Sequence, residues 1–171
     1  SGVATETRTL VDRVEGTCAK IIDTRKTVPL LRRFQKMAVV AGGGANHRMG
    51  LFDQVLIKDN HIEAVGSPAE AVRRARAHVG EQVTVEVEIE RLEDLEQVIE
   101  AGADIVMLDN MTPVVMRAAV VKADGRVILE ASGGITLENV REVAESGVDL
   151  ISIGRLTHSS SSLDVALDFG S

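Results

Sequence analysis

Six short apolar segments of β-type sequence, separated by stretches with helical periodicity, constrain the fold of this chain more than any other feature. Regular alternation of strand and helix predicts a parallel sheet with the helices packed outside it. Strands of such a sheet are normally buried on both faces, which fits their apolar composition. The predicted strands are Ala19–Ile22, Gln54–Ile57, Val83–Ile89, Ile105–Leu108, Val127–Glu130 and Leu150–Ile153.

The intervals between these strands have amphipathic sequences, and several contain helix start signals. Ser67 and Thr112 each stand directly before a proline, and Thr136 precedes Asn139 by three residues. Side chains of these types cap helix N-termini, and proline is favoured in the first turn. The predicted helices are Ser1–Glu15, Val28–Val40, Pro68–Val79, Leu92–Ala101, Pro113–Lys122, Leu137–Ser146 and Leu163–Phe169.

An internal repeat indicates how the sheet is arranged. The segments 100–104 and 145–149 each combine a helix end, a glycine and an aspartate before a buried strand. We therefore predict an α/β fold: an incomplete parallel (β/α) barrel of about six strands, with helices outside and an N-terminal linker helix before it. An open doubly wound sheet is the main alternative.

Composition narrows the class of protein. The chain has 171 residues, enough for one domain, and its net charge of −7 argues against nucleic acid as the main partner. It has no apolar run near the roughly 20 residues that span a bilayer, and it opens with no secretory signal. A single cysteine, Cys18, excludes an internal disulfide. We expect a cytoplasmic protein that does not bind membranes.

Polar residues of functional type follow every predicted strand. The carboxyl ends of parallel barrel strands share one face, where such enzymes place their sites. Glu88 is notable because a charge on a buried strand is costly unless it is paired or bound to a metal. The residues concerned are Asp23, Arg25, Lys26, Lys58, Glu86, Glu88, Asp109, Asn110, Ser132, Gly133, Gly134, Gly154, Arg155 and His158.

Two glycine-rich segments favour different roles. Ser132–Gly134 precedes a predicted helix, and small residues there let the backbone approach a phosphate. Gly154, after the next strand, could complete that cradle. The run Gly42–Gly44 predicts a mobile loop that brings His47 and Arg48 to the face where the carboxyl ends of the strands meet.

Seven motifs together resemble those of the quinolinate phosphoribosyltransferase family. They occur in the family's order over nearly all of the chain, and the first and third are quite specific. The motifs are Asp23–Pro29, Gly42–Arg48, Leu56–His61, Glu86–Glu88, Leu108–Asn110, Glu130–Gly134 and Gly154–His158.

The resemblance implies a decarboxylating transfer between quinolinate and phosphoribosyl pyrophosphate, which yields nicotinate mononucleotide, carbon dioxide and pyrophosphate on the route to NAD. By motif, Arg25, His47 and Arg48 are expected to hold the quinolinate carboxylates. Lys26 and Lys58 are expected between the two substrates. A fork of arginine donors suits two adjacent carboxylates.

The resemblance also implies a Mg²⁺ ion that accompanies phosphoribosyl pyrophosphate. Glu88 and Asp109 are expected to face the ribose and to bind this metal, and with Lys26 and Lys58 they form the expected catalytic set. Magnesium takes few carboxylates and keeps several waters, which fits two acids. The residues expected to receive the 5-phosphate are Ser132, Gly133, Gly134, Gly154 and His158.

Members of this family have a further N-terminal domain and form dimers in which that domain closes the neighbouring site. Residues 1–171 are therefore expected to be the C-terminal catalytic domain of a longer enzyme. The parent enzyme is expected to be a homodimer or larger assembly whose subunits share their active sites. This domain alone is expected to have impaired activity. Two alternatives stay open: a phosphoribosyltransferase-like protein of molybdenum-transport operons, and an inactive isolated barrel module.

Overall fold

The computed structural model describes residues 2–170, and within them the chain forms one six-stranded sheet. All neighbouring strands are parallel, and their order is β1-β6-β5-β4-β3-β2. Each predicted strand is present, with ends that differ by one or two residues. The strands are β1 Lys20–Ile22, β2 Val55–Ile57, β3 Val85–Ile89, β4 Ile105–Asp109, β5 Ile128–Ser132 and β6 Leu150–Ser152.

The strand order confirms the predicted incomplete barrel. Strands β2 to β6 are neighbours in chain order, so the sheet winds in one direction, whereas a doubly wound sheet reverses at a switch point. Within residues 2–170, β1 and β2 are the two edges and do not pair with each other. Ala45 spans part of this opening through a parallel bridge to Ile22, so the barrel is not closed by a continuous strand.

The helices follow the predicted alternation but differ in detail. Within the described residues they are α1 Gly2–Arg13, α2 Arg32–Ala41, α3 Asp59–Val65, α4 Pro68–Val79, α5 Leu95–Glu100, α6 Pro113–Ala123, α7 Val140–Ala144 and α8 Arg155–His158, with a 3₁₀ turn at Leu92–Asp94. Ser1 of the predicted first helix lies outside the described residues. Helix α2 begins four residues later than predicted because residues 28–31 form a turn, with Leu30 at φ 65°.

Two predicted helix starts are confirmed by their capping bonds. The Ser67 side chain accepts a hydrogen bond from the Glu70 N–H (3.2 Å), and Thr112 accepts one from the Val115 N–H (3.4 Å). Thr136 does not start α7: its backbone N–H donates to Asn139, and the helix begins at Val140.

The predicted helix Leu163–Phe169 is wrong: residues 160–170 have no regular secondary structure. The apolar side chains that suggested it, Leu163, Val165, Leu167 and Phe169, are all exposed. A helix this short is unstable in water unless tertiary packing supports it, and these side chains are not packed in the described structure.

The segment Gly42–Gly44, predicted as a mobile loop, packs closely against α1. Gly42 is buried, and a Cβ there would lie 2.6 Å from the Ala4 carbonyl oxygen and from Thr7 Cβ. A Cβ at Gly44 would lie 2.9 Å from Thr7 Cγ2. Close approach between this segment and α1 therefore explains two of the three glycines.

Apolar side chains from both the strands and the helices form one continuous core. Val87, Val106, Leu108 and Ile151 are essentially inaccessible, and helix residues such as Leu95 pack against them. None of the helices within residues 2–170 is long and apolar enough to cross a membrane.

Candidate active site

The carboxyl ends of the strands form a cleft of about 520 Å³. It brings together nine of the twelve residues predicted to bind substrate or metal. These nine are Lys26, Lys58, Glu88, Asp109, Ser132, Gly133, Gly134, Gly154 and His158. These residues follow β1, β2, β5 and β6 or lie near the carboxyl ends of β3, β4 and β5, so all six strands contribute to the cleft.

A second cleft of about 330 Å³ adjoins the first and contains the remaining predicted residues, Arg25, His47 and Arg48. The two clefts share Lys26 and Lys58, together with the polar residues Thr24, Ser132 and Ser152. One cleft is thus mainly cationic, the other combines acids with a glycine loop, and two lysines stand where they meet.

Glu88 and Asp109 are the acids of the larger cleft. The Glu88 carboxylate forms an ion pair with the Lys58 ammonium. Burial raises the pKa of Asp109, and the negative charge of Glu88 raises it further. Two carboxylates that repel each other beside an open cleft fit a Mg²⁺ ion, which takes oxygen ligands and would neutralise both.

The two glycines of the loop Ser132–Gly134 lie in left-handed backbone conformation. Gly133 and Gly134 both have positive φ, 88° and 59°, which glycine adopts without steric cost. A Cβ at Gly154 would lie 3.5 Å from His158 Nε2 and from Lys26 Cδ. Small residues at these positions are compatible with close approach of an anion to the backbone.

Arg25 and Arg48 place two guanidinium groups in the smaller cleft. Burial lowers the pKa of Arg48, and the positive charge of Arg25 lowers it further, so the two cations lie close together. Arg48 is oriented by a bond to the Gln54 carbonyl oxygen (3.1 Å). Within the described residues the buried Nε of Arg25 has no partner. This arrangement favours an anionic ligand with two or more acceptor oxygens.

The His47 side chain lines the smaller cleft but is largely buried, and both ring nitrogens face protein groups. Its Nδ1 accepts a hydrogen bond from the Arg48 N–H (2.7 Å), and its Nε2 is 3.0 Å from Glu86 Oε2. Burial alone would lower the pKa of His47, but its bond to Glu86 and the charges of Glu86 and Glu130 raise it overall. The Arg48 N–H opposes a second proton on the ring, since it occupies the Nδ1 lone pair. The geometry favours the neutral ring with its proton on Nε2.

Glu86 and Glu130 belong to the motifs noted in the sequence, but neither was assigned a role in binding or catalysis. Both are fully buried, and within residues 2–170 neither oxygen of Glu130 has a hydrogen-bond partner. Burial and the charge of Glu86 raise the pKa of Glu130 to about 8. A glutamate within an otherwise apolar buried strand is the sequence feature that could have indicated a role for each of them.

His47, Glu86 and Glu130 lie close enough together to hold one metal ion. The bond from Arg48 to Nδ1 makes Nε2 a donor, so the ring cannot offer that nitrogen to a metal. The cluster is better described as two carboxyls that support the histidine. Because Glu130 keeps a proton, their mutual repulsion is reduced.

His61 supports Lys58 from the first turn of α3. The Lys58 N–H donates to His61 Nδ1 (2.9 Å), and the His61 N–H donates to the Lys58 carbonyl oxygen (2.9 Å). This reciprocal pair fixes the backbone from which the Lys58 side chain reaches Glu88. In the sequence, His61 stands out only as part of the motif Leu56–His61, and the sequence alone did not identify Lys58 as its partner.

Known proteins are similar to this chain in sequence. The sequence model of the family described as quinolinate phosphoribosyl transferase, C-terminal domain, matches residues 3–168. A Bacillus subtilis protein described as a probable nicotinate-nucleotide pyrophosphorylase (carboxylating) is 50% identical over 98% of this chain and 58% of its own length. The Mycobacterium leprae nicotinate-nucleotide pyrophosphorylase (carboxylating) is 49% identical over 98% of this chain and 60% of its own length.

Solved structures agree with the sequence comparison. The crystal structure of NadC from Streptococcus pyogenes superposes with a TM-score of 0.92 at 44% identity, over 96% of this chain and 57% of that one. The chain thus spans about three fifths of the length of the curated relatives it matches. On the family match, which extends over nearly the whole sequence, this chain belongs to the quinolinate phosphoribosyl transferase family and corresponds to its C-terminal domain.

Proposed function

We propose that this chain carries the active site for decarboxylating phosphoribosyl transfer from phosphoribosyl pyrophosphate to quinolinate, a step of NAD biosynthesis in the cytoplasm. The observation that carries the proposal is the pair of adjoining clefts that share Lys26 and Lys58. The names of the relatives, nicotinate-nucleotide pyrophosphorylase (carboxylating), support the same reaction.

Quinolinate would occupy the cationic cleft. Arg25 and Arg48 would each receive a carboxylate, since a guanidinium presents two donors that match two carboxylate oxygens. His47 was expected to bind a carboxylate as well, and both of its ring nitrogens already have protein partners. We assign it to the floor of this cleft, where it holds the backbone of Arg48.

Phosphoribosyl pyrophosphate would occupy the larger cleft. Its 5-phosphate would bind the backbone of Ser132–Gly134 and Gly154, with His158 beside it. Glu88 and Asp109 would hold the Mg²⁺ ion and face the ribose. The ion would stabilise the charge of the departing pyrophosphate, and the acids would stabilise positive charge at the anomeric carbon.

Lys26 and Lys58 would act at the junction between the substrates. The quinolinate nitrogen forms a bond to the anomeric carbon while the bond to pyrophosphate breaks. The carboxylate next to that nitrogen then leaves as carbon dioxide, its bonding electrons stay on the ring, and a proton from solvent replaces it. Ammonium groups at the junction stabilise that negative charge.

We also propose that a further protein surface, from a second copy or an additional domain, covers part of α2. Four large apolar side chains along its outer face and the preceding turn are exposed: Leu30, Phe34, Met37 and Val40. Patches of this kind usually mark protein contacts. A homodimer or larger assembly with shared sites fits this surface.

Calorimetry with the whole protein that contains this chain tests the proposal. Quinolinate should bind without metal, and phosphoribosyl pyrophosphate should bind when Mg²⁺ is present. Arg48→Met should weaken quinolinate binding about tenfold or more, because it removes a charged donor pair. Arg117→Met, an exposed arginine on α6, is the matched control and should bind quinolinate normally.

Three results separate the alternatives. Nicotinate mononucleotide formed from quinolinate supports the proposal outright. Binding of phosphoribosyl pyrophosphate without any affinity for quinolinate would instead favour a phosphoribosyltransferase-like protein with another ligand. If the whole protein that contains this chain is folded and binds neither compound, the proposed function is refuted, and an inactive barrel module is the better description.

A further inference from the structure

Asn110, the residue directly after β4, has an unusual backbone conformation. Its φ is 53°, and within the described residues only Leu30 and Asp124 are other non-glycine residues with positive φ. Asparagine tolerates this left-handed region better than most residues, and glycine tolerates it best. If position 110 served only to form the turn, glycine would serve equally well. The asparagine side chain therefore needs a separate explanation.

The Asn110 side chain has a specific partner in the acidic half of the site. Its Nδ2 donates to Asp109 Oδ2 at 2.7 Å. The bond fixes the rotation of the Asp109 carboxylate and occupies one of its two oxygens. The second oxygen is left for a ligand in the cleft, which Asp109 lines.

Asn110 also contacts the glycine loop in the other half of the site. Its backbone N–H donates to the Ser132 carbonyl oxygen (2.9 Å), which extends the β4–β5 pairing by one residue. A Cβ added to Gly133 would overlap the Asn110 side-chain amide and lie 2.9 Å from its backbone nitrogen. The Asn110 side chain therefore fits against the loop only because residue 133 is a glycine.

We propose that Asn110 is a positioning residue that ties the Asp109 carboxylate to the loop Ser132–Gly134. The inference rests on the proposed function, in which one phosphorylated, metal-bound substrate contacts both groups. Asn110 keeps the spacing between the carboxylate that would hold the cation and the backbone that would receive the 5-phosphate. Groups held in place before binding lose less conformational freedom when the ligand arrives.

Asn110→Gly isolates the side chain, because glycine keeps the left-handed turn. Asp124→Gly is its matched control: Asp124 has φ 49° but ends α6, away from both clefts. The probe is Mn²⁺ with phosphoribosyl pyrophosphate, and bound Mn²⁺ is followed by electron paramagnetic resonance. We expect Asn110→Gly to weaken Mn²⁺ binding about fivefold or more and Asp124→Gly to leave it unchanged.

Two loop variants test the contact from the other side. Gly133→Ala and Gly134→Ala both put a side chain into left-handed backbone, but only the first Cβ would meet Asn110, since nothing lies within 4 Å of the second. Gly133→Ala should therefore weaken Mn²⁺ binding several-fold more than Gly134→Ala does. Equal losses in the two variants would contradict the proposed tie.

A readout on the ligand-free chain keeps the inference separate from the proposed function. In ¹³C spectra, the carboxyl resonance of Asp109 should shift in Asn110→Gly and stay in place in Asp124→Gly. If the whole wild-type protein binds no Mn²⁺ with phosphoribosyl pyrophosphate, the proposed function fails, and the carboxyl resonance of Asp109 still decides the inference. An unchanged Asp109 resonance, or wild-type Mn²⁺ affinity in Asn110→Gly, would overturn it.

Discussion

Lys36 on α2 and Asp23 at the end of β1 form an ion pair that is completely buried. The Lys36 ammonium also donates to the His47 carbonyl oxygen (2.8 Å), and Asp23 Oδ1 accepts a bond from the His47 N–H (2.9 Å). Burial raises the pKa of Asp23, while the bond to Lys36 and its charge oppose that rise. The pair therefore fixes the backbone that carries His47 and Arg48.

Removing one member of this pair should destabilise the fold strongly. Lys36→Met leaves the Asp23 carboxylate buried without its cation, which typically costs about 3–5 kcal/mol. Urea denaturation measures the loss, and Lys122→Met, at an exposed lysine, should change stability little. Adding Asp23→Asn to Lys36→Met should recover part of the loss, and no recovery would contradict the role assigned to the unpaired charge.

Gly42 should not accept even one methyl group. Gly42→Ala would force the new Cβ against the Ala4 carbonyl oxygen and Thr7, so we expect a loss of about 1–3 kcal/mol from overpacking. Its φ of −77° is ordinary, so backbone strain does not contribute. Gly170→Ala has open space around it and serves as the control in thermal denaturation. A wild-type melting temperature in Gly42→Ala would mean that α1 can move away at no cost.

Glu130 should make stability depend on pH. Its pKa of about 8 in the folded chain, against 4.5 ordinarily, means that the folded state binds more protons between these values. Its contribution to stability is therefore fully present below pH 4.5 and is lost as pH rises through about 8. Between pH 5 and 8.5, Glu130→Gln should lose less stability than wild type, by on the order of 2–4 kcal/mol. Glu142→Gln, at an exposed site, should follow the wild-type curve.

Lys58 should compete with a metal for Glu88. The Lys58 ammonium is paired with this carboxylate, so Lys58→Met would leave Glu88 and Asp109 as two unpaired acids beside the cleft. We expect ligand-free Lys58→Met to bind Mn²⁺ about threefold or more tightly than wild type, because the competing cation is gone. Isothermal titration with Mn²⁺ alone measures this, with Lys122→Met as the control. Weaker Mn²⁺ binding in Lys58→Met would show that Lys58 assists the metal site.

Most residues of the two clefts could be predicted from the sequence because the pattern that identifies them is local. Each strand is a short apolar run, and the polar residue that follows it must lie at the carboxyl end of the sheet once the strands are parallel. This reasoning placed Lys58 and Asp109 in one cleft, and Glu88 was found separately as a charge on a buried strand. The parallel strand order followed from the same alternation.

Other features depend on tertiary packing and were missed. Lys36 looks like a solvent-facing helix residue, and only the fold brings it to Asp23. Gly42 and Gly44 looked like a flexible loop because close backbone contact with α1 leaves no mark in the local sequence. Apolar residues at 163–169 suggested a helix, but periodicity does not show whether a surface exists for them to pack against.

The bridge at Ala45 has a consequence for how ligand selectivity could change. Within residues 2–170, no ladder of hydrogen bonds joins β1 to β2, and the segment that contains Ala45 bridges part of the opening between those two edges. Arg25 follows one edge, and Arg48 belongs to the spanning segment itself. A change of length or sequence in the segment 44–48 would alter the distance between the guanidinium groups of Arg25 and Arg48, while the register of every strand stays the same. Homologues that accept rings of another size are therefore expected to differ first in this segment, and only later in the strands.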